Sequence, residues 1–214
     1  MLAAYLKYLY FLLLIAGPVI IFFKRNEIPV LIWLFVPIYV LALAVEVAGH
    51  ILLPKGVNTI LYYHLYQIFE ALFLFIYYYL LFKEQFQKKI VSVMLVLYVA
   101  AVVYWYIIPP SLLHVPVRYE FVVEAIFISV LSCIYLYQLY RSDDEIDFTK
   151  NPHFWINIAN LIFYSGDMIF MWSRDFLNQN FRDVFGKLSY ISYILNLFLY
   201  ITYIKAFLCS TKEK

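Results

Sequence analysis

Seven near-continuous apolar runs dominate the chain: 5–23, 28–53, 60–82, 90–108, 117–140, 154–172 and 188–209. A helix needs about 20 apolar residues to cross the hydrocarbon core of a bilayer, and these runs are 19 to 26 residues long. The longest connections, Arg141–His153 and Ser173–Lys187, are read as loops too short to bury a core of their own. A membrane barrel would need pieces of about ten residues that alternate apolar with polar. Stretches such as Leu12-Leu13-Leu14-Ile15 and Leu72-Phe73-Leu74-Phe75-Ile76 do not alternate. The expected fold is all-α: a polytopic membrane protein, with residues 1–214 forming one domain of seven transmembrane helices.

Composition excludes the main rivals. Hydrophobic residues make up 65% and charged residues 14%, where a soluble domain sits near half and a quarter. A net charge of +2 gives no case for nucleic acid or for an acidic partner. Cys133 and Cys209 are too few for a disulfide framework or a cysteine zinc site, and read as small apolar fillers. The first run is too long for the apolar core of a signal peptide. Phe22-Phe23-Lys24-Arg25 is no small-residue cleavage site, so a retained first helix is expected. Gly17-Pro18 and Pro37 are candidate kinks.

Lys and Arg set the orientation. With the N-terminus outside, ten lie on the cytoplasmic side: Lys24, Arg25, Lys83, Lys88, Lys89, Arg141, Lys150, Lys205, Lys212 and Lys214. Six lie outside: Lys7, Lys55, Arg118, Arg174, Arg182 and Lys187. This favours N-out, C-in in a bacterial inner (plasma) membrane. The acidic run Asp143-Asp144-Glu145-Asp147 reads as a solvated loop. Lys205, about one turn from the cytoplasmic end, is expected to snorkel. Trp33, Trp105, Trp155 and Trp172 fall near span ends, as interfacial anchors do.

Ionisable side chains within a span are costly and usually face the bundle interior. The second span carries Glu46 and His50, four apart and so on one face. The third carries His64, Gln67 and Glu70; the fifth carries Glu120 and Glu124, with Arg118 beside them. Asn157, Asn160, Tyr164 and Asp167 form a stripe on the sixth. Tyr193, Asn196, Tyr200 and Tyr203 repeat its offsets on the seventh, and the two stripes are expected to face each other. In the N-out arrangement, the acids and histidines collect in the outer half. The inner half keeps only amides such as Asn157 and Asn160. A pocket open to the outside and closed below by apolar packing follows. It would be formed by Glu46, His50, His64, Gln67, Glu70, Glu120, Glu124, Tyr164, Asp167 and Asn196. Five carboxylates there cannot all be charged and unpaired. Some must hold a proton, while others pair with His50, His64, Lys55 or Arg118. The net acidic character favours a cationic ligand, a metal ion or protons.

Glu46, His50, His64 and Glu70 could hold a divalent metal, the one cofactor this pattern admits. Their spacing lacks the tightness of HExxH, and an interhelical hydrogen-bonded pair is the simpler account. No Gly-rich phosphate loop and no GxSxG motif is present. No catalytic residue is expected, and enzymatic activity is the less supported reading.

Asn151-Pro152-His153-Phe154-Trp155-Ile156-Asn157, running on to Leu161-Ile162-Phe163-Tyr164-Ser165-Gly166, resembles a pattern in small seven-helix integral membrane proteins of Bacteroidota. His64-Leu65-Tyr66 with Glu70, and Arg118 with Glu124, fit the same resemblance, which would cover most of the chain. Asp167 stands where that pattern leads one to expect a neutral residue such as Asn. These uncharacterised proteins are often encoded beside sensor histidine kinases. The resemblance implies membrane location and a signalling context, but no activity.

The expected function is therefore that of a receptor or sensor. Its outward acidic pocket would take a small or cationic ligand, and a protein partner in the membrane or cytoplasm would carry the signal. The tail Ser210–Lys214 holds no output domain. Three rivals stand beside it: a non-catalytic subunit of an envelope complex, a transporter or ion-conducting protein, and an intramembrane metal-dependent hydrolase.

Overall fold

A computed structural model describes residues 2–107, 119–142 and 148–209. The seven long helices are α1 (Leu2–Phe23), α2 (Phe35–Leu52), α3 (Ile60–Leu81), α4 (Gln85–Ile107), α5 (Tyr119–Arg141), α6 (Pro152–Asn180) and α7 (Arg182–Cys209). All seven are long and apolar enough to cross a membrane, and no strand occurs among the described residues. The protein is a multi-pass, all-α membrane bundle. Arg118, His114 and the acidic run 143–147 lie outside the described residues.

Local chemistry sets where the helices start and stop. The second span does not begin as an α-helix. A 3-10 turn, Val30–Leu34, precedes α2. Pro37 has no N–H, and its ring crowds the carbonyl four residues back, so the tighter winding before it follows. Pro18 is accommodated inside α1 without interrupting it. Gly56, at φ 76°, closes the turn Leu53–Lys55 that ends the second span, a conformation glycine adopts without steric cost. Asn151 caps α6: its side chain accepts from the N–H groups of His153 (2.9 Å) and Phe154 (3.3 Å), with Pro152 at the first helical position.

Ser173–Lys187 is not a loop, because α6 continues to Asn180 and α7 resumes at Arg182. No Gly or Pro interrupts 173–185. The end of the apolar run marks where the hydrocarbon stops, and nothing local ends the helix there.

Helix packing follows a ring. In the order α1–α2–α3–α5–α6–α7, each helix packs on the next, and α7 returns to α1; α4 lies outside, against α3 and α5. α1 begins at one end of the bundle, called the N face below, and α7 ends at the other, the C face. Toward the C face the ring interior is filled. Phe35 and Tyr39 of α2 pack edge-on against Tyr77, Tyr200 and Tyr203 (centroids 4.9–5.2 Å apart), with Phe207 beside them. Several buried polar groups here satisfy one another, though the Tyr39 hydroxyl has no partner among the described residues. The Tyr78 hydroxyl meets Ser132 Oγ (2.7 Å) and donates to Asn157 Oδ1 (3.0 Å). Asn160 donates back to Tyr78 (3.0 Å) and accepts from Tyr203. The sixth and seventh helices thus do turn polar groups toward each other.

Candidate functional site

Toward the N face the ring encloses a cavity of about 410 Å³. It reaches from Leu199 and Tyr200, midway along α7, to Ile60 at the first turn of α3 and Arg174 of α6. Helical spacing explains how α3 supplies so much of it. Tyr63, Tyr66, Gln67 and Glu70 follow one another at steps of three, one and three, so they share one face of that helix and all line the cavity. α2 adds Ala42, Val45 and Glu46; α6 adds Phe163, Asp167 and Met171; α7 adds Ser192 and Asn196; Tyr10 comes from α1 and Phe121 from α5.

Five of the ten residues expected from sequence line this one chamber: Glu46, Gln67, Glu70, Asp167 and Asn196. Two more stand directly behind its wall. Glu124 is fully buried, accepts from the Gln67 amide, and accepts from the Tyr164 hydroxyl at 3.4 Å. Tyr164, also fully buried, interacts with Glu70 as well. The remaining three lie elsewhere. His64 and Glu120 form their own buried pair (Nδ1 to Oε1, 2.9 Å) nearer the N face, and Tyr106 of α4 donates to the same Glu120 oxygen at 2.7 Å. His50 is exposed and meets Lys7 Nζ at 3.2 Å.

This separation bears on metal binding. Glu46, His50, His64 and Glu70 do not converge, because the two imidazoles face different partners on different helices. Among the described residues, no three His, Cys, Asp or Glu side chains gather as a metal ion would require.

Other wall residues lie outside the pocket set expected from sequence, Tyr200 among them although its stripe is expected to face inward. Tyr10, Tyr63, Tyr66 and Tyr200 wall the cavity, and Arg174 stands on its lining near the N face. Tyr66, four residues before Glu70, carried a readable signal; Tyr10 and Tyr106 carried none that separates them from the other tyrosines, 22 in all. These phenols matter to the floor of the chamber. Tyr10 interacts with Tyr200, Tyr200 with Tyr66, and Tyr66 with Glu70. Tyr164 then connects Glu70 to Glu124, and Gln67 closes the path. The hydrogen bonds here join α3 and α6 to α5 through Gln67, Tyr164 and Glu124, and Tyr10 of α1 packs edge-on against Tyr200 of α7 (centroids 5.5 Å apart).

Asp167 behaves differently. It is 2% exposed and lines the cavity. Ser192 contacts its carboxyl, yet Oδ1 has no hydrogen-bond partner among the described residues. A buried acceptor left unpaired is costly.

Fold and site together define a multi-pass membrane protein that holds one polar chamber at mid-depth and toward one face. No protein-family model, no curated protein and no solved structure matches this chain.

Proposed function

We propose that this protein is a membrane receptor or sensor whose chamber admits a small ligand from the N face. The observation that carries this reading is the position of Glu70. It lines the cavity, and it stands electrostatically beside Tyr66, Tyr164 and Glu124, where α3, α6 and α5 are hydrogen-bonded together. A ligand that engages Glu70 competes with Tyr66 and Tyr164, and so acts on the packing of α3, α5 and α6 at once. Ligand binding shifts such an equilibrium only to the extent that it favours one packing over the other. The Lys and Arg balance supports an N face outside a bacterial inner membrane, with a partner protein receiving the signal.

The filled C-face half weighs against transport. Tyr78, Asn157, Asn160 and Tyr203 bind one another, and aromatic rings pack beside them. The divided histidines weigh against a metal-dependent hydrolase.

The test is site-specific photo-crosslinking in cells, followed by recovery of crosslinked partners. Glu70→Gln and Glu124→Gln keep side-chain size but change charge and hydrogen bonding at the link. Altered partner association in both variants, at normal membrane levels, is the expected result. Association identical to wild type in both would remove the sensor reading.

A further inference from the structure

Among the described residues, α6 and α7 are the longest helices, at 29 and 28 residues, where the other five have 18 to 23. Their excess length lies at the N face, where α6 runs past Ser173 and α7 begins at Arg182. The joint between them is tight. The Phe181 N–H donates to the Leu177 carbonyl and the Phe185 N–H to the Phe181 carbonyl, both at 2.8 Å. Deeper between the two helices, the Phe170 and Phe185 rings stack with centroids 6.1 Å apart. The outer side of this tip is apolar. Ile162, Ile169, Trp172 and Phe176 are all exposed, and steps of seven, three and four residues keep them on one face of α6. Phe181 prolongs that face, its ring centroid 5.8 Å from that of Phe176. Trp172 and Phe176 are 74% and 61% exposed, so the rest of the chain covers neither.

The opposite end of α6 supplies a datum for depth. At the C face, Lys205 Nζ lies over the Trp155 ring, 3.3 Å from its centre, and the Trp155 indole N–H donates to the Thr149 carbonyl at 2.9 Å. A tryptophan near a span end, with a lysine head drawn over it, marks the edge of the hydrocarbon. Trp172 lies seventeen residues, and Phe176 twenty-one, further along α6. At 1.5 Å per residue these are about 26 and about 32 Å from Trp155, against about 30 Å for the hydrocarbon core and about 40–45 Å with the headgroups included. Trp172 therefore falls just short of the far edge. Phe176 falls just beyond it, inside the headgroup layer, and any tilt of α6 draws both deeper.

We propose that the α6–α7 tip docks into the lipid headgroup layer of the N-face leaflet through Trp172, Phe176 and Phe181, instead of standing out in water. The stripe runs without a break from Ile162 and Ile169, which face the hydrocarbon, so the medium that covers those residues also covers its outer end. Tryptophan is enriched in this layer. Arg182, exposed next to Phe181, brings a cation to the depth of the lipid phosphates. Asn178, two residues past Phe176 and so on the other side of α6, is exposed and polar, and faces water. The docking is independent of what the chamber binds. It bears on the chamber because the same stretch of α6 supplies Met171 and Arg174 to the lining.

The experiment uses the full-length chain carrying Cys133→Ala and Cys209→Ser, in vesicles of phosphatidylcholine and phosphatidylglycerol at three to one. A nitroxide is attached through Phe176→Cys, Phe181→Cys or Asn178→Cys, one at a time. Power saturation then measures its collisions with oxygen, which concentrates in lipid, and with a water-soluble nickel chelate. Labels at positions 176 and 181 are expected to show an oxygen-to-nickel ratio at least threefold that at position 178. Ratios at 176 and 181 equal to that at 178 would put the tip in water and overturn the assignment. Low collision with both reagents at 176 and 181 would show that protein covers the stripe, a second copy in these vesicles, and would overturn it as well. Phe181 lies at the joint between the helices, so Phe181→Cys reads the tip even if Phe176→Cys fails to fold.

Discussion

Gln67 donates to Glu124 across the α3–α5 interface, one helical turn deeper than the contact between His64 and Glu120. The two rungs join the same pair of helices, and only the deeper one touches the chamber. The upper rung should therefore be structural and measurable alone. In a double-mutant cycle with His64→Ala and Glu120→Ala, unfolding in mild detergent should give a coupling of about 0.6–2 kcal/mol. Singles that add without coupling would show that the pair contributes no specific energy.

Buried tyrosines should divide by what their hydroxyls touch. Tyr78 serves Ser132, Asn157 and Asn160, so Tyr78→Phe strands buried partners and should cost about 1–3 kcal/mol. The hydroxyls of Tyr39 and Tyr98 have no hydrogen-bond partner among the described residues. Tyr39→Phe and Tyr98→Phe should leave the melting temperature unchanged or raise it. Thermal denaturation of the three variants side by side checks this; equal losses in all three would contradict it.

Much of the fold could be read directly, because crossing the hydrocarbon imposes a length and an apolarity that few other structures share. Depth was readable too. Glu46, Gln67, Glu70, Asp167 and Asn196 fall at similar heights on four helices, and they do meet. Rotation about each helix axis was harder. His50 shares a face with Glu46, yet it is exposed and lies beside Lys7 of α1. His64 begins the stripe that Gln67 and Glu70 continue, but the ring places α5 and α4 beside it. Such neighbour relations depend on which helices adjoin, and no single span encodes that. The continuation of α6 past Ser173 is not legible in the apolar pattern for a simpler reason: apolarity tracks the membrane, while helicity needs only the absence of a breaker.

Close approach of α1 and α2 depends on Gly17. A Cβ there would stand 2.3 Å from the Tyr39 ring, which is fully buried and has no room to retreat. Gly17→Ala should destabilise by about 1–3 kcal/mol. Tyr39→Leu removes the obstructing ring, so Gly17→Ala should cost less in that background. Chemical unfolding of both singles and the double tests the point; purely additive losses would show that the contact is not the cause.

The chamber reaches one face and ends at a filled half-bundle. Substituted-cysteine accessibility tests it most directly, in a background where Cys133 and Cys209 are replaced by Ala and Ser. Cysteines at Glu46, Tyr63 and Asn196 should react with a membrane-impermeant thiol reagent added to the outside of intact cells. Cysteines at Asn157, Asn160 and Tyr203 should resist it from either side. Labelling of that deeper set, or equal labelling of the upper set from both sides, would contradict a chamber closed at its floor.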